Sequence, residues 1–112
     1  EDDKVARAAR IMREEACQGV SVADICRRIG LGRRNFEMRF HRVVGHSPAA
    51  QLRDLRMARA RSLLESSQMS IQEVAFACGF SDQLYFSSAF KKVAGIGPKS
   101  WRETHRARNA RK

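Results

Sequence analysis

The sequence repeats itself once, and that repeat limits the folds open to it more than any other feature. Ser21-Val22-Ala23-Asp24-Ile25 returns as Ser70-Ile71-Gln72-Glu73-Val74, and Gly30-Leu31 returns as Gly79-Phe80. Phe36, Phe40, Val43, Gly45 and Pro48 return as Phe86, Phe90, Val93, Gly95 and Pro98. The offset steps from 49 to 50 across the turn, so one residue is inserted there. The matched positions are those that cap helices, permit turns and fill a core, which is what duplication of one supersecondary unit preserves.

Within each unit Ser21 or Ser70 can cap a short helix, and the residue three further on, Asp24 or Glu73, can reach back to the cap's amide. This capping box is expected to be imperfect in the first copy, because Asp is shorter than Glu. The short helix buries Val22, Ile25 and Ile29 in copy one and Ile71, Val74, Ala75 and Cys78 in copy two. Gly30 and Gly79 then stop it in a left-handed turn. Helical spacing resumes with Phe36, Phe40, Val43 and Val44 against Phe86, Phe90, Val93 and Ala94. Short helix, glycine turn and longer helix make a helix-turn-helix unit.

Three more helices complete an all-α fold of seven. Lys4 to Cys17 carries Val5, Ala8, Ala9, Met12 and Ala16 on one stripe and ends at Gly19. Ser47 as cap and Pro48 at the first helical position open a long helix to about Ser66. Its apolar residues form two stripes, Leu52, Leu55 and Leu63 on one side and Met57, Ala60 and Leu64 on another, so it should touch both units. Gly97-Pro98 opens the last helix, through Trp101, and the basic tail Arg106 to Lys112 is expected to fray. The expected layout is two tandem, homeodomain-like helix-turn-helix subdomains, residues 1–46 and 68–112, joined by a linker helix at residues 47–67. No segment reads as a strand.

Charge points to the partner. The 112 residues carry a formal +10, with 22 Lys and Arg against 12 Asp and Glu, and 43% hydrophobic residues exclude a disordered basic tail. Residues 1–32 are balanced, whereas Arg33 to Arg61 hold eight arginines against Glu37 and Asp54, an excess of six. Seventeen of the basic residues are arginine, whose planar fork suits phosphates and guanine edges. Cys17, Cys26 and Cys78 form no C-x-x-C pair and read as reduced thiols of a cytoplasmic protein. No apolar run approaches a membrane span, and the acidic start Glu1-Asp2-Asp3 is unlike a signal peptide.

In a helix-turn-helix the second helix enters the major groove with its first turns against base edges. The first long helix displays Arg33, Arg34, Glu37, Met38 and His41. Arg34 can bond guanine O6 and N7, Glu37 can accept from cytosine N4, and Met38 can pack on a thymine methyl. The second displays Gln83, Leu84, Ser87 and Ser88, with Gln83 suited to adenine and Leu84 either ordinary surface or a methyl contact. Asp82 would repel phosphate and reads as that helix's N-cap. Arg39, Arg42, His46, Ser47, Lys91, Lys92 and Lys99 are the candidates for backbone contacts, which fix register without reading sequence. The two faces differ, so a single chain should read an asymmetric site.

The run Arg56-Met57-Ala58-Arg59-Ala60-Arg61-Ser62-Leu63-Leu64, then Ser70-Ile71-x-Glu73-Val74-Ala75, Cys78-Gly79-Phe80, Tyr85-Phe86 and Phe90-Lys91-Lys92 through Gly97-Pro98, resembles the AraC/XylS family signature. Within that family, Arg33-Arg34-Asn35-Phe36-Glu37-x-Arg39-Phe40 and Ala60-Arg61-Ser62-Leu63-Leu64 are most similar to the DNA-binding end of xylose-operon activators. The resemblance implies seven helices, two recognition helices in adjacent major grooves of promoter DNA, and recruitment of RNA polymerase or steric control of a catabolic, sugar-type operon. Many members of that family carry a separate effector-binding or dimerisation domain, so the chain is expected to be either a fragment of a larger, nucleoid-associated regulator, which its linker-like acidic start favours, or one of the family's small stand-alone members.

Other classes fit less well. His41, His46 and His105 have no Cys, Asp or Glu at metal spacing, and no phosphate loop or nucleophile motif is present, so neither an enzyme nor a cofactor is expected. The family's DNA-binding domain can be fused to a repair methyltransferase, but that chemistry would lie elsewhere. The alternative is a non-specific nucleoid or RNA-binding helical protein, which would have no need of two dissimilar polar faces. A protein-interaction helical repeat would expose an apolar groove instead.

Overall fold

The computed structural model describes residues 2–110. They form α1 (Asp3–Glu15), a 3-10 turn (Ala16–Gln18), α2 (Val22–Ile29), α3 (Arg33–Val44), α4 (Pro48–Ser66), α5 (Ile71–Ala77), α6 (Gln83–Ala94) and α7 (Pro98–Ala110). No strand occurs among the described residues. The chain divides into two compact units between Arg56 and Met57, inside α4.

Local chemistry sets the boundaries. Both capping boxes close: Ser21 Oγ accepts from Asp24 N at 3.0 Å and Asp24 Oδ2 from Ser21 N at 3.0 Å, as Ser70 and Glu73 do at 3.1 and 2.8 Å. The shorter Asp therefore completes the box, contrary to the expectation from its length, because the cap backbone folds close enough to meet it. Gly30 at φ 73° and Gly79 at φ 95° make the left-handed turn that ends each short helix. Asp82 caps α6 by accepting from Tyr85 N, and Ser47 caps α4 by accepting from Ala50 N.

The first unit buries Val5, Ala8, Ile11, Met12 and Ala16 from α1, Val22, Ile25, Cys26 and Ile29 from α2, Phe36 and Phe40 from α3, and Leu52 from α4. The second buries Met57, Ala60 and Leu64 from α4 with Val74, Ala75, Cys78, Phe80, Phe86, Phe90 and Trp101. Leu63 packs with this second core and not with Leu52 and Leu55, because the two halves of α4 serve different units. Val43 and Val93, expected in the cores, are 58% and 40% exposed. Phe36, Phe40 and Val44 stack at i, i+4 and i+8, which leaves Val43 about 60° around the helix from Phe40, at the core's edge.

The repeat extends beyond the positions that sequence matching finds. Val5, Ala8 and Met12 of α1 and Met57, Ala60 and Leu64 of α4 share the spacing i, i+3, i+7, and each triplet packs on its own helix-turn-helix. Arg56 Nε and Nη2 donate to the carbonyls of Ala16 and Val20 at 2.8 and 2.7 Å. Fifty residues on, Arg106 donates to the Ser67 carbonyl, beside Arg102, whose Nε donates to Leu64 O at 2.9 Å. In each unit an arginine of the closing helix thus donates to carbonyls at the end of the opening helix or just beyond it, where the helical ladder leaves acceptors open. This anchoring, with Asn109 donating to Glu65, keeps residues 106–110 helical where fraying was expected. The rest of that tail, Arg111 and Lys112, lies outside the described residues, as does Glu1.

Candidate nucleic-acid interface

Phe36 and Phe40 in α3, and Phe86 and Phe90 in α6, are each fully buried, and they define which way the rest of each helix faces. At about 100° per residue, the positions pointing away from them are Arg34, Met38 and Arg42 in α3 and Leu84, Ser88 and Lys92 in α6. These pairs are fifty residues apart, so the two helices present corresponding positions with different chemistry. Arg34, Arg42, Ser88, Lys91 and Lys92 are exposed, Met38 is 57% exposed and Leu84 79%. Arg33, Gln83, His41 and Lys99 are exposed as well, whereas Glu37 and Ser87, nearer the core edge, are half-buried. Asn35 and Tyr85 are exposed on the same faces and were left out by the sequence reading. The wheel centred on the two Phe pairs is the signal that finds them.

Not every sequence candidate is free. Arg33 Nε donates to Glu37 Oε2 at 3.0 Å, an i,i+4 pair, so these two present themselves as one neutral unit. Arg39 is half-buried and donates through Nε and Nη2 to both oxygens of Asp2, at 2.8 and 2.7 Å. That pair holds the Asp2 carboxyl down to about 2, with the Arg39 hydrogen bond the main cause. Asp2 also accepts from Val5 N, so it caps α1 and tethers the recognition helix at once. His46 donates from Nε2 to Gln51 Oε1 at 2.6 Å and lies edge-on to Phe40, which assigns it to the α3–α4 corner. Ser47 is exposed, with its hydroxyl engaged as the α4 cap. Arg34, Arg42, Lys91, Lys92 and Lys99 have no partner among the described residues.

Elsewhere in the first unit two acids are already paired. Glu15 binds Arg28 through two hydrogen bonds at 2.7 and 2.8 Å, and its carboxyl is held below the usual range by them. Asp24 is held down by the Ser21 amide and hydroxyl and pairs with Arg27. On α3 and α6 themselves the one acid, Glu37, is paired with Arg33, so the free charge along these helices is positive. An unpaired guanidinium, a thioether and an amide over the first two turns can address guanine edges, thymine methyls and adenine edges respectively. Among the described residues no cluster of His, Cys, Asp or Glu could hold a metal ion, and no helix is long and apolar enough to cross a membrane.

Comparison with known proteins identifies the fold and the family. A family model described as a helix-turn-helix domain matches residues 25–104. The xylose operon regulatory protein of Escherichia coli K12 is 36% identical over 104 residues, 93% of this chain and 26% of that protein. The HTH-type transcriptional activator RhaR of Yersinia pseudotuberculosis is 35% identical over 82 residues, 73% of this chain and 28% of its own. The chain therefore spans about a quarter of the length of these curated relatives. Among solved structures, the DNA-binding domain of AdpA, a global transcriptional factor in complex with a target DNA, matches with TM-score 0.90 at 30% identity. That match covers 99% of this chain and 100% of the other. The xylose-binding transcription activator xylR matches with TM-score 0.73 at 36% identity, over 93% of this chain and 27% of its own.

Proposed function

The chain belongs to the AraC-type helix-turn-helix family of DNA-binding domains, and from that premise we propose that α3 and α6 read successive major grooves of one promoter duplex. The observation that carries this reading is the pair of exposed faces fifty residues apart, one with Arg34 and Met38, the other with Leu84 and Ser88. One unit reading an arbitrary sequence would need neither the second face nor its different chemistry. Arg33, Arg34, Glu37, Met38, Gln83, Leu84, Ser87 and Ser88 address bases in this reading, and Arg42, Lys91, Lys92 and Lys99 address phosphates.

The regulator is an activator of a catabolic, sugar-type operon that acts in the cytoplasm by helping RNA polymerase to its promoter. Support comes from the names of the relatives, a xylose operon regulatory protein and a transcriptional activator.

Footprinting on a selected site tests it. A protected, asymmetric site of about two turns is expected, and five base pairs inserted between its halves should abolish binding by turning one groove to the opposite face. Unchanged affinity after the insertion, or two chains on a minimal palindrome, would mean that the units do not act as a pair on one duplex.

A further inference from the structure

Val43 is the anomaly that opens this question, a β-branched apolar residue 58% exposed at a position that sequence periodicity places in the core. It lines a cleft of about 640 Å³ between α1 and the end of α3, together with Asp2, Val5, Ala6, Ala9, Arg42 and Val44. The floor is apolar and its α1 side is made of alanines, so a second helix can approach closely. Along α1, Ala6, Ala9, Arg10 and Arg13 follow the spacing i, i+3, i+4, i+7 and share one face. Arg10 and Arg13 are exposed and have no partner among the described residues, and neither has Arg42. Arg42 thus lines the cleft, and the α1 face that Ala6 and Ala9 bring to it continues into the unpaired Arg10 and Arg13.

We propose that this cleft is a docking groove for an acidic amphipathic helix of a protein partner. Apolar side chains of that helix, one turn apart, would cover Val43, Ala6 and Ala9, while its carboxylates would meet Arg10 and Arg13. Nucleic acid suits the place poorly. A phosphate backbone gains nothing from the valine and alanine floor. The face of α1 that carries Arg10 and Arg13 also points away from the core it shares with α3. Those arginines are therefore not additions to the α3 reading face. The groove differs in the second unit, where the same helical register puts Arg61 at the position of Ala9.

The test uses the whole chain and a synthetic 14-residue peptide with Leu at one helical stripe and Glu at most other positions, labelled with a fluorophore. Anisotropy and amide chemical shifts are followed with and without a site duplex bound. Saturable binding is expected, with shifts confined to α1 and the end of α3, and it should persist on the DNA complex. Val43→Asp and the double variant Arg10→Glu, Arg13→Glu should each weaken the peptide at least tenfold while changing duplex affinity less than twofold. Circular dichroism checks that both variants fold, and Val43→Thr, which keeps the shape, should lose less than Val43→Asp. Absence of binding at millimolar peptide overturns the proposal. So do shifts at Arg34 and Met38 with displacement by duplex, which would mark the peptide as a phosphate mimic on the reading face. Loss of duplex affinity in the Arg10 and Arg13 variant would instead assign that face to nucleic acid, and would likewise overturn it.

Discussion

Salt dependence of duplex binding separates what the charges of the sequence suggest from what the fold leaves available. The arginine-rich segment has an excess of six charges, which would give a log-log slope near about −5 and roughly 1,000-fold weakening for a fourfold rise in salt. Counting the side chains placed to meet phosphates gives fewer. Of the five cations assigned to phosphates, Arg39 already gives two hydrogen bonds to Asp2. Arg42, Lys91, Lys92 and Lys99 remain. At about −0.9 per phosphate the slope becomes about −3.6, or about 150-fold between 50 and 200 mM salt. Anisotropy of a labelled site duplex at four salt concentrations measures it. Lys92→Ala should bring the slope to about −2.7 on specific and random duplexes alike. Arg39→Gln should leave the slope unchanged and lower the melting temperature, because what it removes is an intramolecular tie. A slope made shallower by about 0.9 in Arg39→Gln would show that Arg39 leaves Asp2 for a phosphate, and a flat response in the unmodified chain would refute the phosphate-dominated account altogether.

Arg34→Ala should cost about 1 to 3 kcal/mol on the specific site and relax one guanine position, as competitive binding on a library randomised position by position will read. Ser70→Ala removes the α5 cap, so unfolding free energy should fall by about 1 kcal/mol, and calorimetry should show the loss in the second unit. The acid limb of stability should carry the Asp2–Arg39 pair. Asp2 is held at about 2 from an ordinary 3.8, so its contribution is complete above the ordinary value and is lost as pH falls through 2. Asp2→Asn should flatten stability between those limits in an acid titration followed by circular dichroism, and should leave the neutral-to-basic limb unchanged in shape.

Much of this protein is written locally. Caps at Ser21, Ser47, Ser70 and Asp82, left-handed turns at Gly30 and Gly79, and prolines opening α4 and α7 involve only near neighbours, so each could be read from a few residues. The repeat then supplied the pairing of units, and the charge pattern supplied the class of partner. What tertiary structure decided depends on contacts between residues far apart in the chain. Arg39 looks like any other arginine until Asp2, thirty-seven residues away, is seen to hold it. Residues 106–110 look like a free tail until Ser67 and Glu65 are seen to anchor them. Leu63 belongs to the second core, and Val43 to no core, because helical period gives a direction without saying which element lies there. The two stripes of α4 show that it serves both units, but the place where it divides, between Arg56 and Met57, is decided by which core each residue packs on, as Leu63 shows. Sequence therefore determined the elements and the chemistry they display, while packing decided which of those charges and apolar surfaces remain free to meet another molecule.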